Sequence, residues 1–316
     1  MNVTGIISYI PHSQIDKKKW DACIDSASNG LIYAYSFYLD LMAKQWDALV
    51  FGDYEAVMPM PYRKKWNIPY LFQPFLTPAL GVFGNNISTE MVSWFIQAIP
   101  EKFRLWDISL NHFNPVDTTI KTQYLRNNYV LSLNKSYEIL VKDYSENMRR
   151  NISKAKRNDL IVKRQASYQE IIKLCEKEWP KFTEIREHTF SNLENNFSVF
   201  DPYAHCYGVY HSGKLLSGCI FLICNKRAYY WMTGNDPDAK TFGSSAMLID
   251  AFIKDFAGKD VLLDFEGSDK KSISEFYMRF GATAEPYTTI YRNLIPFPLK
   301  LLKPVPRNYR SLTLLS

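Results

Sequence analysis

The sequence predicts an α+β protein made of two similar domains in tandem, each with a mixed, mostly antiparallel sheet flanked by helices. Three observations predict this class: apolar runs that come in pairs around short turns, helical stretches that follow each pair, and the same order of elements in both halves. The first pair spans residues 48–63 around Gly52-Asp53, and the second spans residues 206–224 around Gly213. Glycine and aspartate tolerate the positive φ of tight hairpin turns, so each pair indicates a β-hairpin.

The same three signals follow each hairpin: an aromatic run, a helical stretch, and a short apolar run that ends in an acid. They lie at residues 70–72, 89–102 and 105–107 in the first half and at 228–231, 244–256 and 262–264 in the second. The two terminal acids, Asp107 and Asp264, are separated by about half the chain, far more than the roughly 20–50 residues of a solenoid repeat. The recurrence therefore predicts two copies of one domain rather than a repeat array.

Local signals predict the remaining elements of the first half and the junction. We expect a helix capped by Ser13 and ending near Ala27, helices over residues 36–45 and 118–127, a strand over 137–141, and a helix that Asp143 and Glu146 begin as a capping box. In this last helix, Met148, Ile152 and Ala155 form one apolar stripe. Basic side chains surround the stripe, and this basic face is either solvated or in contact with an anionic ligand.

These elements set the predicted domain boundaries. Residues 1–142 form a first domain with a structural or acceptor-binding role, and residues 143–295 form a second domain that binds the donor and carries the candidate catalytic groups. Residues 296–316 form a C-terminal strap, because four prolines between Pro296 and Pro306 exclude a continuous helix.

The composition excludes several classes of protein. The chain has 316 residues, 47% of them hydrophobic, so it is long enough for two cores and is not disordered. No apolar run approaches the roughly 18 residues of a membrane span, and residues 3–10 do not resemble a signal peptide. Five cysteines without CxxC spacing indicate reduced thiols in a cytoplasmic protein, and five scattered histidines predict no metal site. The net charge of +6 favours an acidic partner only weakly.

The helix predicted after Gly243 offers the best candidate for a cofactor site. Gly243, Ser244 and Ser245 form a turn of small residues, and the free N–H groups of a helix start suit a phosphate. Lys240 adds a positive charge. The corresponding helix of the first half has Glu90 in its first turn, which repels a phosphate. We therefore expect only the second half to bind a phosphorylated cofactor; the alternative is that the small residues simply cap the helix.

The order of hairpin, aromatic strand, glycine-containing loop, helix, strand, helix and strand resembles the GCN5-related N-acetyltransferase (GNAT) fold. The segment Lys240-Thr-Phe-Gly243-Ser-Ser245 shares the central glycine of that family's Arg/Gln-x-x-Gly-x-Gly/Ala cofactor loop and differs at both flanking positions. Two such domains in tandem resemble the FemABX-like transferases and the related acetyltransferase 6 group. The motifs that carry this resemblance are residues 148–157 (MRRNISKAKR), 264–268 (DFEGS) and 276–281 (FYMRFG).

The resemblance implies an N-acyltransferase that moves an acyl group from acyl-CoA, or an aminoacyl group from an aminoacyl-tRNA-like donor, to an amine in cell-envelope, peptide or amino-sugar modification. Tyr277 stands where the bridge-forming enzymes commonly have lysine, which favours acyl-CoA. It corresponds to the general acid of the GNAT family, and Glu266 is the candidate base. Backbone N–H groups near residues 230–233 are expected to stabilise the oxyanion. The alternatives are that Tyr277 packs against the sheet and that Glu266 caps a helix or pairs with an arginine.

The candidate acceptor-binding residues are basic and aromatic. Arg63, Arg149 and Arg150 suit a carboxylated or phosphorylated acceptor in a cleft between the domains. Tyr230 and Trp231 are expected to line this cleft, unless their strand is buried in the core. The expected partner is a small-molecule or peptide amine. A second class of function also fits: a catalytically silent GNAT-fold protein that binds a peptide, a lipid or a nucleic acid, which the poor match of the cofactor loop favours.

Overall fold

A computed structural model describes residues 6–117, 123–181, 189–267, 269–302 and 313–315 of the chain. The chain forms two compact units: the first comprises Met1–Asn127 and Glu285–Ser316, and the second comprises Asn128–Ala284. Within the described residues, no helix has the length and apolar character that a membrane crossing requires.

The secondary structure alternates between strands and helices along the chain. The strands are β1 (Ile7–Ile10), β2 (Trp46–Phe51), β3 (Ala56–Lys65), β4 (Ile68–Leu71), β5 (Phe83–Gly84), β6 (Leu105–Ser109), β7 (Gln123–Ser132), β8 (Ile161–Lys163), β9 (Ala204–His211), β10 (Lys214–Cys224), β11 (Arg227–Asn235), β12 (Leu262–Asp264), β13 (Thr283–Asn293) and β14 (Thr313–Leu315). The helices are α1 (Lys17–Ser26), α2 (Ser36–Met42), α3 (Thr89–Gln97), α4 (Tyr137–Lys142), α5 (Glu146–Arg157), α6 (Tyr168–Glu178), α7 (Thr189–Asn195), α8 (Ala239–Phe242), α9 (Ser244–Phe256) and α10 (Lys271–Met278). Short 3-10 helices lie at His12–Gln14, Ile32–Ala34, Trp179–Lys181, Phe197–Phe200 and Leu299–Leu302.

The first unit is built on a sheet with the strand order β1-β2-β3-β4-β6-β13. β2 and β3 are antiparallel, as are β3 and β4, and β4 then pairs with β6 in parallel through Leu71 and Trp106. α3 begins after Ser88, whose hydroxyl accepts from the Met91 N–H at 3.2 Å and so satisfies one of the free donors of the helix start. The apolar face of α3 packs in the core of this unit.

The second unit repeats this arrangement with the strand order β7-β12-β11-β10-β9-β8. β9 and β10 are antiparallel, β10 and β11 are antiparallel, and β11 pairs with β12 in parallel. These are the pairing senses of β2, β3, β4 and β6 in the first unit. The predicted fold class is therefore confirmed: both units have a mixed, mostly antiparallel sheet flanked by helices.

In each unit, one strand of the sheet comes from a distant part of the chain. β13 is the antiparallel neighbour of β6, with Asn293 opposite Leu105. β7 is the antiparallel neighbour of β12, with Val130 opposite Asp264. The second unit accordingly begins at Asn128, before the boundary that the sequence predicts after residue 142. Local patterns do not reveal such partners, because tertiary contacts decide which strand pairs with a sheet edge.

The hairpins and the central elements of the second half lie where the sequence predicts them. Gly52 and Gly213 have φ angles of 58° and 81° in the two hairpin turns, which is the left-handed region that glycine adopts freely. Ser244–Phe256 is a helix and Leu262–Asp264 is a strand, with the predicted bounds. These elements frame the candidate site.

α5 carries the predicted apolar stripe but begins differently. Met148, Ile152 and Ala155 are buried in the core of the second unit, which confirms the stripe. The capping residue is Ser145, whose hydroxyl accepts from the Met148 N–H at 3.2 Å. Asp143, the predicted cap, instead follows the last residue of α4.

Three other local predictions are wrong where the structure describes the chain. Residues 123–127 belong to strand β7 rather than to a helix, and residues 118–122 lie outside the described residues. Tyr137–Lys142 is a helix rather than a strand, because so short an apolar run does not distinguish the two. α1 begins after Asp16, whose carboxylate accepts from two N–H groups of the first turn at 3.0 and 3.2 Å, whereas Ser13 lies in a 3-10 helix.

A substitution at Gly243, which lies between α8 and α9, tests how tightly α5 packs on α9. The φ of Gly243 is +75°, and a Cβ atom there would lie 2.6 Å from the carbonyl oxygen of Asn151 in α5. We expect Gly243→Ala to lower the free energy of unfolding by about 2–4 kcal/mol, since a strained φ and a backbone clash act together. Gly213→Ala is the matched control, because its φ is +81° but no atom lies within 4 Å of the added Cβ. Urea denaturation measures both variants, and equal losses would contradict the packing argument.

Candidate active site

Strand β11 contains a bulge at Tyr230 and Trp231. Leu222 of β10 lies opposite Tyr229, and Ile220 lies opposite Met232, so that three steps along β11 match two steps along β10. The extra residue bends the strand and changes the direction in which its backbone groups point. Bulges of this kind occur often beside active sites.

Beyond the bulge, one edge of β11 is left without a strand partner among the described residues. The parallel pairing with β12 stops at Tyr229 and Asp264. Thr233 lies opposite Cys219 of β10, and its carbonyl oxygen accepts from the Trp179 indole N–H at 2.8 Å. Since the N–H and C=O of one strand residue point to the same side, the Thr233 N–H also faces away from β10. β11 thus presents a backbone donor where it departs from β12.

A buried ion pair fixes the end of β12 beside the start of β11. Arg227 Nε donates to Asp264 Oδ2 at 2.6 Å, and the two side chains are only 9% and 6% exposed. Asp264 also accepts from the backbone N–H of Glu266 at 2.7 Å. The chain turns sharply here, with φ angles of 59° at Glu266 and 74° at Gly267. A glutamate in the left-handed region is uncommon, and such residues concentrate at functional sites.

Tyr277 of α10 lies among aromatic rings next to this turn. Its ring stacks on Phe265 with a centroid separation of 4.5 Å and lies 6.3 Å from the rings of Tyr129 and Tyr230. Tyr277 is 8% exposed, and no group among the described residues hydrogen-bonds its hydroxyl. Burial raises the pKa of Tyr277, and the nearby charge of Glu266 raises that pKa further. The hydroxyl is therefore protonated at neutral pH.

Three predicted site residues, Tyr230, Glu266 and Tyr277, are thus brought together at the departing edge of β11. The Tyr230 hydroxyl lies 2.8 Å from Thr233 Oγ1, and Glu266 is half-buried. The group combines a carboxylate, a protonated phenol and a backbone N–H. These are the three kinds of group that acyl transfer to an amine uses.

The serines of the predicted cofactor loop form a separate polar cluster with β10 and β11. Ser244 is fully buried, and its Oγ lies 2.7 Å from Ser217 Oγ. The Ser245 hydroxyl donates to Asn235 Oδ1 at 2.6 Å. Both hydroxyls are therefore engaged within the protein. A phosphate at this helix start would be bound by backbone N–H groups rather than by serine side chains.

Lys240 and Gly243 have different environments at the same helix start. Lys240 is exposed on α8, where its ammonium is accessible to an anion. Gly243 is buried against the Asn151 carbonyl of α5, so its lack of a side chain lets two helices approach closely. Binding of a phosphorylated cofactor by these residues remains a prediction.

Arg149 and Arg150 lie on the basic face of α5. This face forms an open groove of about 460 Å³ lined by Glu146, Arg149, Arg150, Ser153, Lys156 and Arg157. Arg149 Nη1 donates to the Tyr144 carbonyl at 2.6 Å, close to the C-terminal end of α4, where a cation is favourable. Arg150 pairs with Glu146. The remaining cations give the groove an excess of positive charge.

Trp231 and Arg63 are held by other contacts. Trp231 is 2% exposed, and its ring packs 4.8 Å from that of Phe200, so it belongs to the core of the second unit. Arg63 is part of the first unit, where its Cζ lies 3.9 Å from the centroid of the Phe72 ring in a cation–π contact. Acceptor binding by Arg63 and by the arginines of α5 remains a prediction.

Sequence reasoning missed Arg227 and Trp179. Each acts through a partner far along the chain, Asp264 for Arg227 and Thr233 for Trp179. One signal for the ion pair was present: an acid ends the strand that pairs in parallel with the strand that Arg227 begins. The indole contact has no local signal.

Among the described residues, no group of three or more His, Cys, Asp or Glu lies close enough to hold a metal ion.

A family model described as an acetyltransferase (GNAT) domain matches residues 142–271. This segment is a GNAT acetyltransferase domain. It contains the bulged strand, the Arg227–Asp264 pair and Glu266, and it makes the chain an acyltransferase. Tyr277 lies six positions beyond the matched residues. The resemblance to the acetyltransferase 6 group that the sequence predicts is confirmed.

Solved structures resemble the chain over almost its whole length, well beyond the acetyltransferase domain. The crystal structure of FemX has 13% identity and a TM-score of 0.62, with 94% of this chain and 99% of that chain covered. The C-terminal domain (DUF2156) of a putative lysylphosphatidylglycerol synthetase from Agrobacterium fabrum has 12% identity and a TM-score of 0.55, with 91% and 94% covered. These likenesses confirm the predicted FemABX-like fold. No curated protein matches this sequence.

Asp264→Asn tests the ion pair that fixes β12 in the acetyltransferase domain. The substitution leaves the buried Arg227 charge without its carboxylate, so the free energy of unfolding should fall by about 3–5 kcal/mol. Asp260→Asn is the control, because its ion pair with Lys226 is exposed and contributes little. Thermal and urea unfolding measure both variants. Unchanged stability of Asp264→Asn would show that the pair does not hold β12 in place.

Proposed function

We propose that the chain is an N-acyltransferase in which Thr233, Glu266 and Tyr277 of the second unit carry the chemistry. The observation that supports this most strongly is the convergence of three features: a bulged strand edge, a carboxylate in a strained turn and a buried phenol. The Tyr277 hydroxyl has no hydrogen-bond partner among the described residues. The proton of this hydroxyl is therefore available to a bound substrate.

In the proposed reaction the amine nitrogen attacks the acyl carbonyl carbon, a C–N bond forms, and the bond to the leaving group breaks. Glu266 accepts a proton from the amine, directly or through water. The Thr233 N–H donates to the oxyanion that develops on the carbonyl oxygen, in a site where few waters compete. Tyr277 donates its proton to the departing sulfur or oxygen and regains one from solvent.

The proposed donor is an acyl-CoA thioester, and an aminoacyl ester such as that of an aminoacyl-tRNA is the competing donor. Tyr277 replaces the lysine of the bridge-forming enzymes that the sequence resembles, and this supports the thioester. Lys240 and the N–H groups at the start of α9 are the proposed contacts of the donor phosphates. The proposed acceptor is a small-molecule or peptide amine held by Arg63, Arg149 or Arg150. A cytoplasmic location remains a prediction from the sequence.

Tyr277→Phe tests the proposed proton donor. The variant should lower kcat by about 10²-fold or more, because general acid catalysis of this kind contributes that much. Stability should change little, since the hydroxyl has no partner to lose among the described residues. Tyr210→Phe is the control: its hydroxyl donates to Glu170 at 2.7 Å, away from the site, so kcat should be unaffected. Equal turnover by Tyr277→Phe would remove Tyr277 from the mechanism.

Binding of the donor is measured separately from turnover by calorimetry with CoA, acetyl-CoA and an aminoacyl-tRNA. An acyl-CoA enzyme should bind CoA in the micromolar range and gain thermal stability in proportion to ligand excess. Lys240→Ala should weaken CoA binding about fivefold, because one charge-assisted phosphate contact is lost. If calorimetry detects binding of the aminoacyl-tRNA but not of CoA or acetyl-CoA, the donor is the aminoacyl ester. Binding without transfer to any amine would instead support the silent binding protein.

A further inference from the structure

The hairpin of β3 and β4 extends beyond the core of the first unit. The first six residues of β3 are buried and pair with β2, whereas the stretch from Tyr62 to Lys65 pairs with β4. Among the described residues, β4 pairs with β6 through its last residue, Leu71, alone. The exposed end of this two-stranded ribbon consists of Lys64, Lys65, Trp66 and Asn67, and we call these four residues the hairpin tip.

Trp66 occupies a backbone conformation that a tryptophan rarely adopts. Its φ is 51° and that of Asn67 is 60°, which gives a two-residue turn with both central residues left-handed. Such turns favour asparagine and glycine, and a bulky residue there is an outlier. The Trp66 side chain is 56% exposed, so the fold recovers little of this strain by burying the indole. Strain kept without compensating burial indicates a functional residue.

The side chains of the hairpin tip combine an indole with two ammonium groups. Lys65 Nζ lies 4.9 Å from the centroid of the Trp66 ring, and Lys64 is exposed beside it. An indole prefers the boundary between lipid headgroups and acyl chains, and lysines near a membrane are attracted by anionic headgroups. We propose that the hairpin tip is a peripheral anchor that binds a bilayer surface rich in anionic lipid.

Neither a nucleic acid nor a protein fits the hairpin tip as well as a bilayer does. Single-stranded nucleic acids are bound by several aromatic platforms along a basic groove, whereas the tip has one ring, and the Lys65 ammonium lies over it. A specific protein interface buries a cluster of anchor side chains from about 20–30 residues on each partner, and Trp66 is the one large apolar side chain of the tip. The net charge of +6 also favours an anionic surface.

Flotation of the full chain with lipid vesicles tests the anchor. The protein should float with phosphatidylcholine vesicles that contain phosphatidylglycerol, bind pure phosphatidylcholine weakly, and lose binding as salt screens the lysines. Replacing Lys64 and Lys65 by glutamine should weaken binding about fivefold for each charge. Trp66→Gly should weaken it about tenfold.

Two controls separate anchoring from folding. Glycine adopts a left-handed φ without strain, so Trp66→Gly should melt at or above the temperature of the unaltered chain while losing vesicle binding. Trp94→Ala removes another exposed tryptophan of the same unit, 47% exposed on α3, and should bind vesicles as before.

Three outcomes would overturn the proposal. The first is equal flotation with neutral and anionic vesicles, and the second is Trp66→Gly binding like the unaltered chain. The third is the absence of vesicle binding together with a gel shift of single-stranded RNA that Trp66→Gly abolishes, which would assign the tip to nucleic acid instead. None of these outcomes depends on acyl transfer, so the anchor is tested apart from the proposed function.

Discussion

The candidate site depends on the place where β11 stops pairing with β12. The parallel ladder ends at Tyr229 and Asp264, and the buried Arg227–Asp264 pair holds this end of the ladder in a region where water does not screen the charges. Where a strand separates from its neighbour, it exposes backbone N–H and C=O groups that would be hydrogen-bonded to the next strand in a regular sheet. The bulge at Tyr230 then decides which of these groups face outward, so one local defect creates the donor at Thr233.

The surroundings of this edge make the exposed groups effective. Rings of Tyr129, Tyr230 and Phe265 enclose the Tyr277 side chain, and an enclosure of this kind strengthens every hydrogen bond to a developing charge. The same enclosure disfavours a tyrosinate, and this is why burial leads the causes that raise the pKa of Tyr277. Burial therefore keeps the Tyr277 phenol protonated.

The two units share their pairing senses but differ at the start of the corresponding helices. α3 begins with the Ser88 cap and with Glu90, and the Ser88 hydroxyl lowers the pKa of the Glu90 carboxyl, which is thus fully ionised at neutral pH. α9 begins after Gly243 and has no acid in its first turn. A negative charge at a helix start competes with any anionic ligand. The two units therefore differ in the charge at this helix start: the first turn of α3 carries an acid and the first turn of α9 does not.

The sequence by itself determined what depends on neighbours along the chain. The hairpin turns at Gly52 and Gly213, the bounds of α9 and β12, and the stripe from Met148 to Ala155 follow from turn chemistry and periodicity, which act over a few residues. The motifs also determined the family resemblance. The resemblance in turn implied that Glu266 and Tyr277 act at one site.

The tertiary structure alone decided which distant segments meet. The pairing of β7 with β12 and of β13 with β6, the bulge in β11, and the contacts of Arg227 with Asp264 and of Trp179 with Thr233 leave no local periodic signal. The packing of Gly243 on Asn151 and the burial of Ser244 likewise depend on distant segments of the chain. The physical reason is that a side chain's partner in a folded core is set by the whole arrangement of elements, whereas propensity and capping act only within a few residues.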